Sequence, residues 1–417
     1  MNATELSAYA QAADSGRYDR VTGLQGKYDH VRVHWEDQTL RLRLGPHLQR
    51  LVDRRLAAGR DLRLLDLGCG SGDGYETLLG MQRHPLPAAA SSTELLPPQR
   101  LERYTGIELN PALLEQARLR HRDSERTRFI QADLREGLPF DVGEPPYDVY
   151  FASFGTLSHL GEEETVALLG EIARHADDGS LLLIDWLGRY AYEWSDLWDA
   201  DLAREQWMDY RISYIYPPHE RRSRKIDAFP LRLLCEVEAR RVLARVETGS
   251  GIRLVERDLF DRSLFVGRHM DTAEYNPHAR PLREAVNRLH EPLCRTDLQS
   301  LCFELHVPEG FAEVADALRA AHGAWNAVVR YAAEGLARAD AGTAPPEVPA
   351  GMPAPVRATV ERLAQAIGAL GACEMDDPRA AWLEPQLGLA LRNLELELQR
   401  GLGCGHGLVA ICEIRRP

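Results

Sequence analysis

Asp66, Glu108, Asp133 and His159 are the side chains best placed for chemistry in the first 160 positions. Asp66 stands two residues before the first glycine of Asp66-Leu67-Gly68-Cys69-Gly70-Ser71-Gly72-Asp73-Gly74. Glycines there allow positive φ and let the backbone approach a ligand closely. A helix following the turn, read from about Tyr75 to Met81, aims its free amides at the same place. A carboxylate beside such a turn repels a pyrophosphate and attracts an ammonium or a sulfonium. His159, in Ser153-Phe154-Gly155-Thr156-Leu157-Ser158-His159-Leu160, is the candidate general base, because an imidazole titrates near neutral pH. The other reading of His159 is a histidine that caps or packs its turn. The histidines form no HxxxH or HExxH pair with cysteine support, and the cysteines form no CxxC, so no metal is expected.

The element that positions Asp66 is an apolar run, Leu62, Leu64, Leu65 and Leu67, ending in glycines. It reads as a buried parallel strand entering a tight turn. A nicotinamide-binding fold also uses strand, glycine turn and helix, so an oxidoreductase is the rival reading, and Asp66 counts against it.

The stretch Asp66 to Gly72 resembles motif I of the class I S-adenosylmethionine-dependent methyltransferases. Later segments continue the likeness in order. Tyr104 to Pro111 is similar to the second strand with its terminal acid, and Phe129 to Leu134 to the third. Tyr147 to Ser153 corresponds to the fourth and Ser180 to Asp185 to the fifth. The resemblance covers residues 55–190. It implies an α/β fold, a seven-stranded doubly wound Rossmann-like sheet with N-terminal helices and a large helical insertion, and S-adenosylmethionine as cofactor. The reaction implied is methyl transfer to an O-, N- or C-atom of a small organic molecule. The cofactor-binding set it implies is Asp66, Gly68, Cys69, Gly70, Ser71, Glu108, Leu109, Asp133, Leu134, Ser153 and Tyr28. Glu108 would take the ribose hydroxyls, Asp133 the adenine amine with the Leu134 amide near the ring, and Tyr28 would cover the methionine end. Each has a plainer alternative: Glu108 as a surface glutamate, Asp133 as a helix N-cap, Tyr28 and Trp35 as packing between N-terminal helices and sheet. Glu108 lies 38 positions after Gly70, beyond the about 20 of a plain strand–helix–strand unit. A Pro/Ala/Ser insertion within residues 82–103 accounts for the difference.

With 417 residues and a net charge of −13, the chain is long enough for two domains and too acidic for bulk attraction to nucleic acid or anionic membrane. No apolar stretch would span a bilayer, and the N-terminus lacks signal-peptide character. A cytoplasmic protein is expected, with a small-molecule substrate as its partner and neither nucleic acid nor membrane.

The expected layout is an N-terminal helical cap at 1–54 and a cofactor-binding core at 55–272, with an aromatic lid at 188–232. A helical insertion at 273–402 and a final strand at 403–417 complete it. Gly45-Pro46 is expected to split the helical stretch 37–56. Within the lid, Tyr190, Tyr192 and Trp194 are the candidate acceptor contacts, or a satellite core; His269 is a second, poorer base. The alternative placement of the last strand is 263–270. The insertion is a possible homodimer face. A protein that binds S-adenosylmethionine without transferring methyl groups, in a regulatory role, is the remaining rival.

Overall fold

Leu62, Leu64, Leu65 and Leu67 are all fully buried and form β1 (Leu62–Leu67), the middle of the sheet. The structure, a computed structural model, describes residues 3–84 and 93–417. Most of the expected Pro/Ala/Ser insertion, residues 85–92, therefore lies outside the described residues.

Parallel strands flank β1: β2 (Leu101–Glu108) and β3 (Thr127–Gln131) on one side, β4 (Val149–Ala152) and β5 (Leu181–Gly188) on the other. Chain order thus reverses beside β1, and such a reversal opens a crevice at the carboxyl ends of the strands. Further along come β6 (Gln206–Tyr210), β7 (Phe229–Leu234), β8 (Arg253–Arg262) and β9 (Gly407–Arg415). β9 runs antiparallel to β5, from Leu181 opposite Glu413 to Leu187 opposite Gly407, and antiparallel to β8 on its other edge. It thus lies between them. At its last two residues β5 turns to β7, which forms an antiparallel ribbon with β6. Gly188 sits at this junction, where a Cβ would strike the carbonyls of Gly403 and Gly405.

Helices α1 (Ala3–Asp14), α2 (Asp37–Ala57), α3 (Asp73–Leu79), α4 (Pro111–Arg120) and α5 (Glu162–His175) accompany the first half. Asn110 caps α4 by accepting from the amides of Ala112 (3.0 Å) and Leu113 (3.3 Å), with Pro111 in the first helical position. Three glutamates open α5 and Arg174 and His175 close it, matching the helix dipole. α6 (Pro218–Ser223) and α7 (Glu236–Ser250) follow. Leu40, Leu44, Leu48 and Leu78 of α2 and α3 cover one face of the sheet; α5 and α7 cover the other.

The expected break at Gly45-Pro46 does not occur. α2 continues through Pro46, preceded by one wide π turn at Arg32–Glu36. The carbonyl that Pro46 leaves without an amide donor belongs to Leu42, on the exposed side, while Leu40, Leu44, Leu48 and Leu51 hold the inner face against the sheet. Residues 263–270 are not a strand either. Ser263 has φ +64° and ends β8, and turns follow.

Between β8 and β9 lie α8 (Leu282–Arg288), α9 (Ala312–Asp340), α10 (Ala354–Ala369) and α11 (Glu384–Leu398). Their apolar stripes share a core with Val31 and Trp35 from the N-terminal segment; the Trp35 and Trp325 rings stand 5.9 Å apart. Charge joins the same parts. Glu36, fully buried, lies 2.8 Å from both Arg268 and Arg283 and 3.8 Å from Arg262. Burial alone would raise its carboxyl; the arginines hold it well below the usual range. Asp29 accepts two bonds from Arg283, at 2.6 and 2.7 Å. Near them the His34 and His290 rings stack at 4.5 Å, with His30 beside both. Burial, aided by His34 and His30, pushes His290 down to about 3.

Candidate functional site

The carboxyl ends of β1 to β5 open into one cavity of about 1320 Å³, mouth included.

Asp66, Gly68, Cys69, Gly70, Glu108, Leu109, Asp133, Leu134, Ser153 and His159 all line it. Gly68 has φ +65°, and a Cβ there would lie 2.5 to 2.9 Å from the Thr156 side chain. Glu108 ties the glycine turn to the next strand by accepting from the Gly70 amide (2.9 Å) and the Asn110 amide (2.8 Å). Each oxygen keeps one lone pair beyond these bonds. Asp66 is buried beneath Gly74 and accepts from the Tyr104 phenol. Burial pushes its carboxyl up to about 8, opposed by the Tyr104 bond and supported by the charges of Asp73 and Glu108. Asp133 caps the turn at Leu134–Glu136 through the Arg135 amide and pairs with the Arg135 guanidinium at 2.6 Å.

His159 is held at Nδ1 by Glu5 of α1, lies against the Phe229 ring, and has its Nε2 3.5 Å from the Tyr9 hydroxyl. A carboxylate on one ring nitrogen orients the other for proton transfer.

Several expected site residues lie elsewhere. Tyr28 and Ser71 sit behind the glycine turn: the Tyr28 phenol donates to Asp73 and stands 3.5 Å from Ser71 Oγ. Lys27 takes the lining position instead, 2.7 Å from Asp73 and over the Tyr18 ring. Burial alone would raise Asp73, but Lys27, Arg32 and Arg120 hold it below the usual carboxylate range. Tyr190, Tyr192 and Trp194 also miss the cavity. Tyr190 packs on Trp198 and Phe311, Tyr192 on Phe265 and Phe303, and the Trp194 indole donates to the Gly188 carbonyl. Tyr190 and Tyr192 anchor the lid to the helical segment, and Trp194 ties it to the end of β5. Tyr210 and Tyr214 of the same lid line the cavity, with Tyr9 and Tyr18 from the N-terminus. His269 is fully buried behind Tyr210, Tyr214 and Tyr275 and does not line it.

The cavity also holds residues that sequence reasoning missed: Arg32, Phe154, Arg262, Arg268 and His406. Phe154 has φ +57°. Its ring lies between Arg32, 3.3 Å from the centroid, and Arg262, 4.5 Å away, and its amide donates to Asp185 (2.8 Å). The local signal was the mixed aromatic and polar run Gly26 to Trp35, which contains Lys27 and Arg32. No local pattern marks Arg262, Arg268 or His406.

Residues 65–182 match the family described as "Methyltransferase domain". A curated relative, the non-reducing polyketide synthase pkiA of Emericella nidulans, is 30% identical over 146 residues, 34% of this chain. The chain spans about 5% of that protein's length. Among solved structures, CalS10, an amino pentose methyltransferase from Micromonospora echinaspora, is 20% identical over 53% of this chain and 85% of its own, with TM-score 0.29. The CcbJ methyltransferase from Streptomyces caelestis is 16% identical over 52% of this chain and 81% of its own, with TM-score 0.32. Among the described residues no helix is long and apolar enough to cross a membrane.

Proposed function

We propose, from the match of residues 65–182 to the methyltransferase-domain family, that the protein uses S-adenosylmethionine to methylate a small organic acceptor held in the same cavity as the cofactor. The observation that carries this reading is the convergence of Asp66, Glu108 and Asp133 on one glycine-turned cavity. The donor set fits the cofactor. Gly68 and Gly70 present bare backbone, Glu108 has lone pairs for two ribose hydroxyls, and Asp66 offers an acid to a cationic amino acid end. Lys27, beside Gly70, and Arg32, on the same cavity, supply positive charge for a carboxylate. Asp133 and the Leu134 amide take the base edge.

S-Adenosylmethionine supplies a methyl group on a sulfonium, open to in-line displacement. The chain's own task is to align and to exclude water. Tyr9, Tyr18, Tyr210 and Tyr214 enclose the outer part of the cavity and suit an organic ring. His159, oriented by Glu5, receives a proton at Nε2 where the acceptor carries one. The same reading makes the enzyme cytoplasmic, with no nucleic acid or membrane partner, and leaves the face of α9 to α11 for self-association. It treats 273–402 as an insertion into the 55–272 core, with 403–417 returning to it.

Calorimetric titration with S-adenosylmethionine and with NAD, followed by incubation of methyl-labelled cofactor with a metabolite extract, tests the reading. Binding of the former and label in a small-molecule fraction are expected. Preference for NAD, or binding without any labelled product, overturns it.

A further inference from the structure

Two arginines of the cavity lining, Arg262 and Arg268, have no part in the cofactor reading above, and both are more than nine-tenths buried. Arg268 gives Nη2 to Glu36 at 2.8 Å, and its Nη1 has no hydrogen-bond partner. Arg262 gives Nη2 to Asp185 at 2.9 Å, and its Nε and Nη1 have none. Buried guanidinium donors without acceptors are costly, and native proteins seldom leave them so. By contrast Arg283, in the same network, is satisfied by Asp29, Glu36 and the Val266 carbonyl. Unpartnered guanidinium nitrogens also occur away from the cavity, at Arg55 and Arg232 among others; within this network they fall on the two arginines that meet it.

We propose that Arg262 and Arg268 receive a carboxylate on the acceptor, so that the substrate is a small organic acid carrying a ring. The inference rests on the methyltransferase reading above and names its substrate class. Three features set the chemistry. Three guanidinium donors suit a planar two-oxygen group. Glu36 and Asp185 already offset much of the positive charge, which favours a single negative charge over a phosphate dianion. Tyr214, whose ring carries the Arg268 guanidinium at 4.9 Å, and Tyr210 and Tyr9 beside it form an aromatic wall next to those donors. The reading above gives the cofactor's own carboxylate to Lys27, beside Gly70.

The test uses benzoate and benzamide as probes, titrated into the full chain with and without saturating S-adenosylhomocysteine. Benzoate is expected to bind at least about tenfold tighter than benzamide, the scale of one charge-assisted bond pair. Arg268→Met should abolish that preference while S-adenosylhomocysteine affinity stays within about threefold. Arg268→Lys, which keeps the charge, should retain part of it. Equal binding of the two probes to the wild-type protein, or no binding of benzoate, overturns the proposal without any variant. Loss of S-adenosylhomocysteine affinity in Arg268→Met reassigns the arginines to the cofactor and also overturns it. Failure of the wild-type protein to bind S-adenosylhomocysteine refutes the methyltransferase reading instead, and the titration without it reads the anion site separately.

Discussion

Asp66 gives the sharpest test of the site's electrostatics. Its carboxyl stands at about 8 because burial outweighs the hydrogen bond from Tyr104. At pH 7 the group is then about nine-tenths protonated. A cation seated beside it favours the ionised form; lowering the carboxyl from 8 to about 5 takes roughly 4 kcal/mol of interaction, at 1.36 kcal/mol per pKa unit. Binding of S-adenosylmethionine at pH 7 should accordingly release about 0.9 proton. Calorimetry in buffers of different ionisation enthalpy reads this number as a slope. Apparent affinity should rise by up to about tenfold between pH 6 and 7 and flatten above pH 8. Asp66→Asn should bind more weakly and show neither slope nor pH dependence. A release below about 0.2 proton at saturation would refute the idea that Asp66 meets the ligand's positive charge. The free protein carries the opposite sign. A carboxyl raised by folding stabilises most below its unfolded value, and that contribution is lost as pH rises through 8.

Gly68→Val should abolish cofactor binding in equilibrium titration and lower Tm, because the left-handed backbone costs about 1–2 kcal/mol before the new side chain meets Thr156. His159→Ala should reduce turnover of a proton-bearing acceptor by about 10² or more, with cofactor affinity little changed; equal turnover removes its role. His290 stays neutral in the fold down to about 3 while its unfolded form takes a proton below about 6.5, so stability is full above that value and falls as pH drops toward 3. By pH 5 the loss is up to about 2 kcal/mol, and denaturant titration of His290→Asn should show a flatter profile between pH 7 and 5.

The parts of the site that were legible in the sequence are those written locally. Asp66 and Glu108 close apolar runs beside glycine or Asn-Pro, and Gly407 to Ile414 is apolar enough to read as a buried strand wherever it falls. The paths of α2 and of the lid were not legible. Packing of Leu40, Leu44 and Leu48 overrides the proline, and Tyr190 and Tyr192 find partners more than a hundred positions away in the helical segment. The buried charges were hidden for the same reason: Glu36 meets Arg268 and Arg283 across more than 230 residues, and Glu5 meets His159 across 154. An arginine is written identically whether it faces water or a cavity, and only the fold says which.

The position of β9 governs how the molecule is made. A ribosome releases residues 407–415 after everything they must bridge, so β5 and β8 wait as unzipped edges while α8 to α11 emerge and condense. During synthesis the half-built sheet exposes the ribbon-pairing groups of Leu181 to Leu187, a natural handhold for a chaperone or for a neighbouring nascent chain.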